Sequence, residues 1–369
     1  MCFCSWRPVS TQRGNPLTKK AEMEHLDNFD EMLTNLRKKR RTVHLLLGNG
    51  FSMAYDPKIF SYNALADFVI KINDPTLVKL FEILKTKNFE LIMEQLTTFS
   101  KLLVALKVDK SIQYEVSAAH EKLKHSLLDA IKSLHPEHVF KIPEERMAAC
   151  GRFLHQFIDT GGQIFSTNYD LLLYWVLMRQ VFDNAVDGFG KELLNPIEVQ
   201  NRTEAAEWSD LKWGPNRKRQ NIHFVHGTLP IFDIGIDVIK ETYSDAGYLL
   251  KNVGLRLDAG EYPVFVTAGN GDEKLALIRH NQYLSNCYDM LSGIDGSIVS
   301  FGFGFGQYDE HIINALNKAT HPGNNAPPKL RSIYIGVYSD KDRKYIESIE
   351  EKFFAKLYTF DVKTASPWN

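Results

Sequence analysis

Val43-His44-Leu45-Leu46-Leu47-Gly48-Asn49-Gly50-Phe51-Ser52 is an apolar run that ends in two glycines one residue apart. Val43 to Leu47 has the length of a buried strand. Gly48 and Gly50 lack a Cβ, so the backbone can turn sharply there and come close to a ligand. A helix is expected to start after Ser52, with its N–H groups facing whatever sits in the turn. Strand, glycine turn and helix in this order hold the pyrophosphate of a dinucleotide in many folds. Met53 stands where the usual third glycine would be, and a tight turn without a ligand accounts for the same residues.

Working outward, Phe29, Met32, Leu33 and Leu36 fall on one helical face, capped by Asp27 or Asn28. The basic run Lys38 to Arg41 sits at the end of that helix, where positive charge suits the dipole. Residues 1–22 hold Pro8, Gly14 and Pro16 without an apolar period. They read as a disordered leader, with Met23 as a candidate start.

Beyond the glycine turn the pattern is helical for a long way. Asn63 to Ile72, Leu77 to Leu84 (a helix started by Pro75), Asn88 to Leu103 and residues 114–134 all carry helical spacing. Residues 76–160 are too long for one crossover between strands and read as a helical insertion.

Gln163 to Ser166 is the next strand. It ends in Thr167-Asn168-Tyr169-Asp170 and opens an apolar helix, Leu171 to Val181. Polar residues at the carboxyl end of a strand lie where open α/β sheets bind ligands; a plain helix cap would need only one of them. Residues 184–220, rich in Asn, Gly, Pro and charge, read as surface loops. Ile222, Phe224 and His226 alternate as a short strand, with His226 at its carboxyl end before Gly227.

Tyr262 to Thr267 reads as a further strand, and helices follow at Asp272 to Arg279 and Asn286 to Leu291. A second strand and glycine turn comes at Ser297 to Phe301 and Gly302-Phe303-Gly304-Phe305-Gly306. Ile312, Ile313 and Leu316 lie on the helix behind it. Ser332 to Val337 reads as the last strand. It feeds a helix capped by Ser339 and Asp342, with Tyr345, Ile346, Ile349, Phe353 and Phe354 as the expected buried face. Strands ending in glycine turns and alternating with helices imply an α/β fold with a parallel, doubly wound, Rossmann-like sheet.

Bulk properties narrow the function. The 369 residues are 44% hydrophobic, enough for a full core. Lys plus Arg is 44 and Asp plus Glu is 45, so charge gives no argument for nucleic acid as main ligand. No apolar run is long enough to cross a membrane. The four cysteines fit a reducing cytosol and form no zinc-ribbon pattern.

With these motifs in place the chain resembles the sirtuin-like family over about residues 41–340. Gly48-Asn49-Gly50-Phe51-Ser52 resembles its Gly-x-Gly-x-Ser phosphate loop. Asn168-Tyr169-Asp170, in the form Thr167-Asn168-Tyr169-Asp170, resembles its Asn-x-Asp motif, and His226-Gly227 its catalytic His-Gly. Gly302-Phe303-Gly304 takes the place of the late loop that holds the adenosine side, with Gly304 where that family has Ser. Asp309-Glu310-His311-Ile312 resembles the Asp-x-x-Ile that follows it in the bacterial branch. The family's zinc module is absent, and with it the module that accompanies protein deacylation. The branch without zinc resembles bacterial anti-phage proteins that hydrolyse NAD, some with a sensor domain and others assembled with a HerA-type ATPase.

The resemblance therefore implies a cytoplasmic NAD hydrolase that needs no metal and works as a homo-oligomer with a HerA-type partner. Asn168, Asp170 and His226 are its candidate catalytic residues. Gly48, Asn49, Gly50, Ser52, Thr167, Gly302, Phe303 and Gly304 are its candidate NAD contacts. Asn168 can bond a ribose hydroxyl or the attacking water. Asp170 can accept from the carboxamide. His226, with a reference pKa of about 6.5, can take a proton near neutral pH. A non-catalytic NAD or ADP-ribose sensor or assembly module is the alternative. A hydride-transfer dehydrogenase would show an acidic residue about 20 positions beyond the glycine turn, at a strand end, where this chain reads as helix.

Overall fold

The structure is a computed structural model that describes residues 24–26, 28–60, 67, 74–85, 89–201, 205–243, 248–259, 261–266, 269–321, 323 and 327–369. The expected leader at 1–22 and most of the expected helix at 63–72 lie outside these residues.

In chain order the described strands are β1 (Glu24–Leu26), β2 (Val43–Leu47), β3 (Ile164–Ser166), β4 (Phe189–Gly190), β5 (Lys212–Trp213) and β6 (Ile222–Phe224). They continue with β7 (Gly227–Asp233), β8 (Val238–Lys240), β9 (Pro263–Phe265), β10 (Gly296–Phe301), β11 (Leu330–Val337) and β12 (Lys356–Asp361). Seven of them form one sheet in the order β1-β12-β11-β10-β2-β3-β6, and every pairing in it is parallel. Apart from the edge strand β1, the chain enters this sheet at β2 and builds outward through β3 to β6. It then returns to β10 on the other side of β2 and builds outward to β12. This is the 3-2-1-4-5-6 order of the dinucleotide-binding doubly wound fold, with its switch point between β2 and β10. All five residues of β2 are buried, as an inner parallel strand with both faces covered requires.

The helix Phe29–Lys38 is capped by Asn28, whose side chain accepts from the Asp30 and Glu31 N–H groups, and it buries Phe29, Met32, Leu33 and Leu36. Phe29 stacks on Phe153 at 5.7 Å, and Phe153 meets Phe301 of β10 edge-on at 5.6 Å. The helix Glu144–Ile158, which carries Phe153, therefore packs on the parallel sheet. Between β2 and it lie the helices Pro75–Leu84, Phe89–Ala105 and Lys110–Leu134. Pro75 starts the first of these at a position that needs no N–H, and Asp74 caps it.

Several expectations are corrected. The helix after the first glycine turn begins at Asn49, with Gly48 as its cap, so Gly50 and Ser52 lie inside it rather than ahead of it. Residues 184–220 are not only loops: they supply β4 and β5 to a second, five-stranded sheet in the order β4-β5-β8-β7-β9. Pairing there is antiparallel, and the expected strand at 262–267 belongs to it as β9. Strands of two or three residues are too short to show a period, so their pairing is set by partners distant in sequence. Ser332 to Val337 is not the last strand; β12 follows and pairs with both β11 and β1. Of the face expected on the last long helix, Ile346 and Phe353 are buried, while Tyr345 and Phe354 are exposed. That helix ends at Ser348, before the spacing would place Phe354 inward.

Candidate functional site

Register decides where the motifs meet. Phe224, Ser166, Leu47 and Phe301 stand side by side across four adjacent strands, and each is the last residue of its strand. Each motif starts one or two residues beyond, at His226, Thr167, Gly48 and Gly302. The four turns quoted from the sequence therefore share one edge of the sheet, beside its switch point.

The two glycine turns touch each other. The Gly48 N–H donates to Phe301 O at 3.0 Å and the Gly50 N–H to Gly302 O at 2.9 Å. A Cβ at Gly50 would lie 2.5 Å from Gly302 Cα, and one at Gly48 2.5 Å from Phe303 Cα. Gly302 has φ +70°, which only glycine adopts at little cost. The expectation that these glycines open the backbone to a ligand thus meets a second cause: backbone packs on backbone. The Gly48 and Gly50 N–H groups are thus bonded within the protein, to the other glycine turn. Gly304 differs, since nothing among the described residues lies within 4 Å of a Cβ built there. Phe303 and Phe305 pack edge to face at 4.8 Å.

Ser52, Asn168 and Asp170 form one buried network. The Asn168 amide donates to Ser52 Oγ at 2.9 Å, and the Ser52 hydroxyl donates to Asp170 Oδ2 at 2.5 Å. Asp170 Oδ1 accepts the Leu172 N–H at 2.9 Å, which makes Asp170, and not Asn168, the side chain that holds the start of the helix Leu172–Arg179. Burial pushes the Asp170 carboxyl above the usual range, opposed by the bonds from Ser52 and Leu172. Thr167 donates through N and Oγ1 to Leu47 O, tying the end of β3 to β2. Asn49 Nδ2 reaches Phe60 O at 3.3 Å.

His226 follows β6 and is buried. Its partner is a residue that the sequence reading quoted without assigning a role: His226 Nε2 lies 2.8 Å from His311 Nε2. His311 belongs to the helix Glu310–Thr320 behind the second glycine turn. Lys274, fully buried, stands near both and reaches Asp309 Oδ1 at 3.3 Å. Burial lowers the pKa of both imidazoles, with smaller effects from the His311 and Lys274 charges on His226 and from Lys274 on His311. His311 falls to about 3 and His226 well below its ordinary value. Both rings are therefore neutral at pH 7. His226 is not hydrogen-bonded to the Ser52–Asn168–Asp170 network. Gly227 has φ +80°, and a Cβ there would meet Val264 O at 1.7 Å. It lets the chain leave the parallel sheet for β7.

The far end of the chain also reaches this edge. Trp368 is buried, its indole N–H donates to Phe51 O at 2.9 Å, and its ring lies 5.0 Å from that of Phe51. Among the described residues no three His, Cys, Asp or Glu side chains are grouped so that they could hold a metal, and no helix is long and apolar enough to cross a membrane.

Residues 45–368 match the family described as a domain of unknown function, DUF4917, and the chain belongs to that family. No curated protein matches it.

Proposed function

We propose that this member of the DUF4917 family is an NAD hydrolase, converting NAD and water to ADP-ribose and nicotinamide. The observation that carries the reading is the register of the four strand ends β10, β2, β3 and β6, which gathers the quoted motifs at the switch point of the sheet. Cleaving the nicotinamide–ribose bond develops oxocarbenium character on the ribose, as in glycoside cleavage. The leaving group is already cationic in NAD and needs no strong acid. The protein has to orient the ribose and place a water. Asn168 is suited to this: its amide is held by Ser52, and its side-chain carbonyl oxygen stays outside that network. Asp170 braces Ser52 and the helix behind it. His226, neutral at pH 7, is the base. On the resemblance, the turn at Gly48 to Ser52 would take the pyrophosphate, and the open position at Gly304 suits the adenosine side.

On the same resemblance, the reading extends to an effector that depletes NAD in a phage-infected cell, as a homo-oligomer with a HerA-type ATPase. A second reading, a non-catalytic NAD or ADP-ribose module, is favoured by two contacts: Ser52 and Asp170 bond each other, and His226 Nε2 is taken by His311. Purified protein incubated with NAD, alone and with candidate activators, separates the two. Release of nicotinamide and ADP-ribose in equal amounts supports the hydrolase. Saturable binding of ADP-ribose without turnover under every condition supports the binding module.

A further inference from the structure

His226 and His311 face each other through Nε2 at 2.8 Å, and both are buried. A neutral imidazole carries one N–H. The contact is a hydrogen bond only if one ring is protonated on Nε2 and the other on Nδ1, so the two rings hold opposite tautomers. We propose that His311 is the positioning residue for His226: it accepts the His226 Nε2–H and leaves His226 Nδ1 as the nitrogen that takes a proton. This rests on the reading of His226 as the base of NAD hydrolysis.

The base role sets the direction of the bond, since a His226 that takes a proton on Nδ1 must carry its own proton on Nε2; three observations bear on the pairing itself. First, His311 Nδ1 is buried and has no hydrogen-bond partner among the described residues. A buried polar nitrogen without a partner calls for a reason, and an apolar side chain at 311 would avoid it; holding His226 is such a reason. Second, the groups packed around the pair keep it uncharged at rest. Lys274 faces it from the helix Gly271–His280, paired with Asp309 at the cap of the helix that carries His311. From the helix Gln282–Leu291 the Tyr288 hydroxyl donates to His311 O at 3.0 Å and adds no charge at neutral pH. Third, the helix bearing Lys274 is seated closely: a Cβ at Gly271 would lie 3.2 Å from His311 N. During turnover His226 Nδ1 takes the proton of the ribose hydroxyl or water. The Nε2–H stays on His226, its bond to His311 becomes charge-assisted and stronger, and the proton leaves to solvent after product release.

The test compares His311→Leu with His311→Gln, whose amide reaches the place of Nε2. His311→Leu should lower kcat by at least about tenfold with little change in KM, and His311→Gln should recover most of it. Lys274→Met should move the acid limb of kcat/KM to higher pH, because a cation beside the base is gone. Leu and Gln variants impaired equally, or a Leu variant at full rate, would overturn the assignment. Nitrogen NMR of the imidazoles in the unmodified protein reads the tautomers without turnover. His226 as Nε2–H and His311 as Nδ1–H at pH 7 is expected; the reverse pair, or a charged ring, overturns it. If the protein hydrolyses no NAD under any condition, the hydrolase reading fails while the tautomer measurement still decides the role of His311.

Discussion

The Ser52 hydroxyl donates to the Asp170 carboxylate at 2.5 Å across a separation of 118 residues. It joins the turn after β2 to the turn after β3, and Asn168 is held through the same oxygen. Removing that oxygen strands two buried groups at once. Ser52→Ala should cost about 1–3 kcal/mol of stability, read as a fall in the midpoint of denaturant unfolding without a change in slope. An unchanged midpoint would mean that water replaces the hydroxyl and the two turns are held by other contacts.

Asn168 and His226 stand just beyond neighbouring strand ends, and neither side chain builds the sheet. Asn168→Ala and His226→Ala should each reduce NAD turnover by at least ~100-fold while both proteins stay folded. Turnover and thermal unfolding measured on the same preparations decide this. A destabilised Asn168→Ala protein with full turnover would show that the amide serves only the network around Ser52.

The glycine turns give a prediction of the opposite kind. Gly50→Val and Gly302→Ala both force a side chain into backbone 2.5 Å away. They should lower the melting temperature before any question of ligand arises. Gly304→Ser enters open space and should change stability by no more than about 0.5 kcal/mol. Equal melting temperatures for Gly50→Val and the unmodified protein would show that the two turns separate readily.

Stability should fall with acid between about pH 6.5 and 5. Burial lowers the pKa of His135 to about 4 and of His223 and His311 to about 3, and pushes His44 and His226 down as well. An unfolded chain binds these protons near pH 6.5, so the stabilising effect is complete above that value and is lost as pH falls toward the folded values. Each such group contributes roughly 1.4 kcal/mol per pH unit in the window. Asp170 works against the trend, because its carboxyl is raised in the folded state and stability returns as it takes up its proton. One carboxyl does not offset five imidazoles. Urea unfolding at a series of pH values checks the slope; a flat profile from 7 to 5 would place these histidines in contact with water.

Much of the parallel sheet was legible because each of its motif strands announces its own end. Val43 to Leu47 is apolar throughout, as a strand buried on both faces must be, and it stops at a glycine. Thr167 to Asp170 and His226 are polar at once after apolar runs. The second sheet was not legible. Lys212–Trp213 pairs with Phe189–Gly190 and with Ile239, and two-residue strands take their structure from such partners rather than from a period. Gly48, Gly50 and Gly302 were visible, but their sequence does not distinguish a ligand from a neighbouring turn as the thing approached. The partnership of His226 with His311 spans 85 residues, and no local pattern marks it. Lys274 reads in sequence as one more charged residue in a helix, and only packing reveals that it is buried.

Trp368 closes over Phe51, one residue from Gly50 and Ser52. During synthesis, then, the turn after β2 is made early and acquires this cover only once residue 368 has been added, 317 residues later. Until residue 368 emerges, Phe51 lacks that ring and its carbonyl lacks the indole donor. A chain broken off short of that point would leave the turn after β2 without this cover.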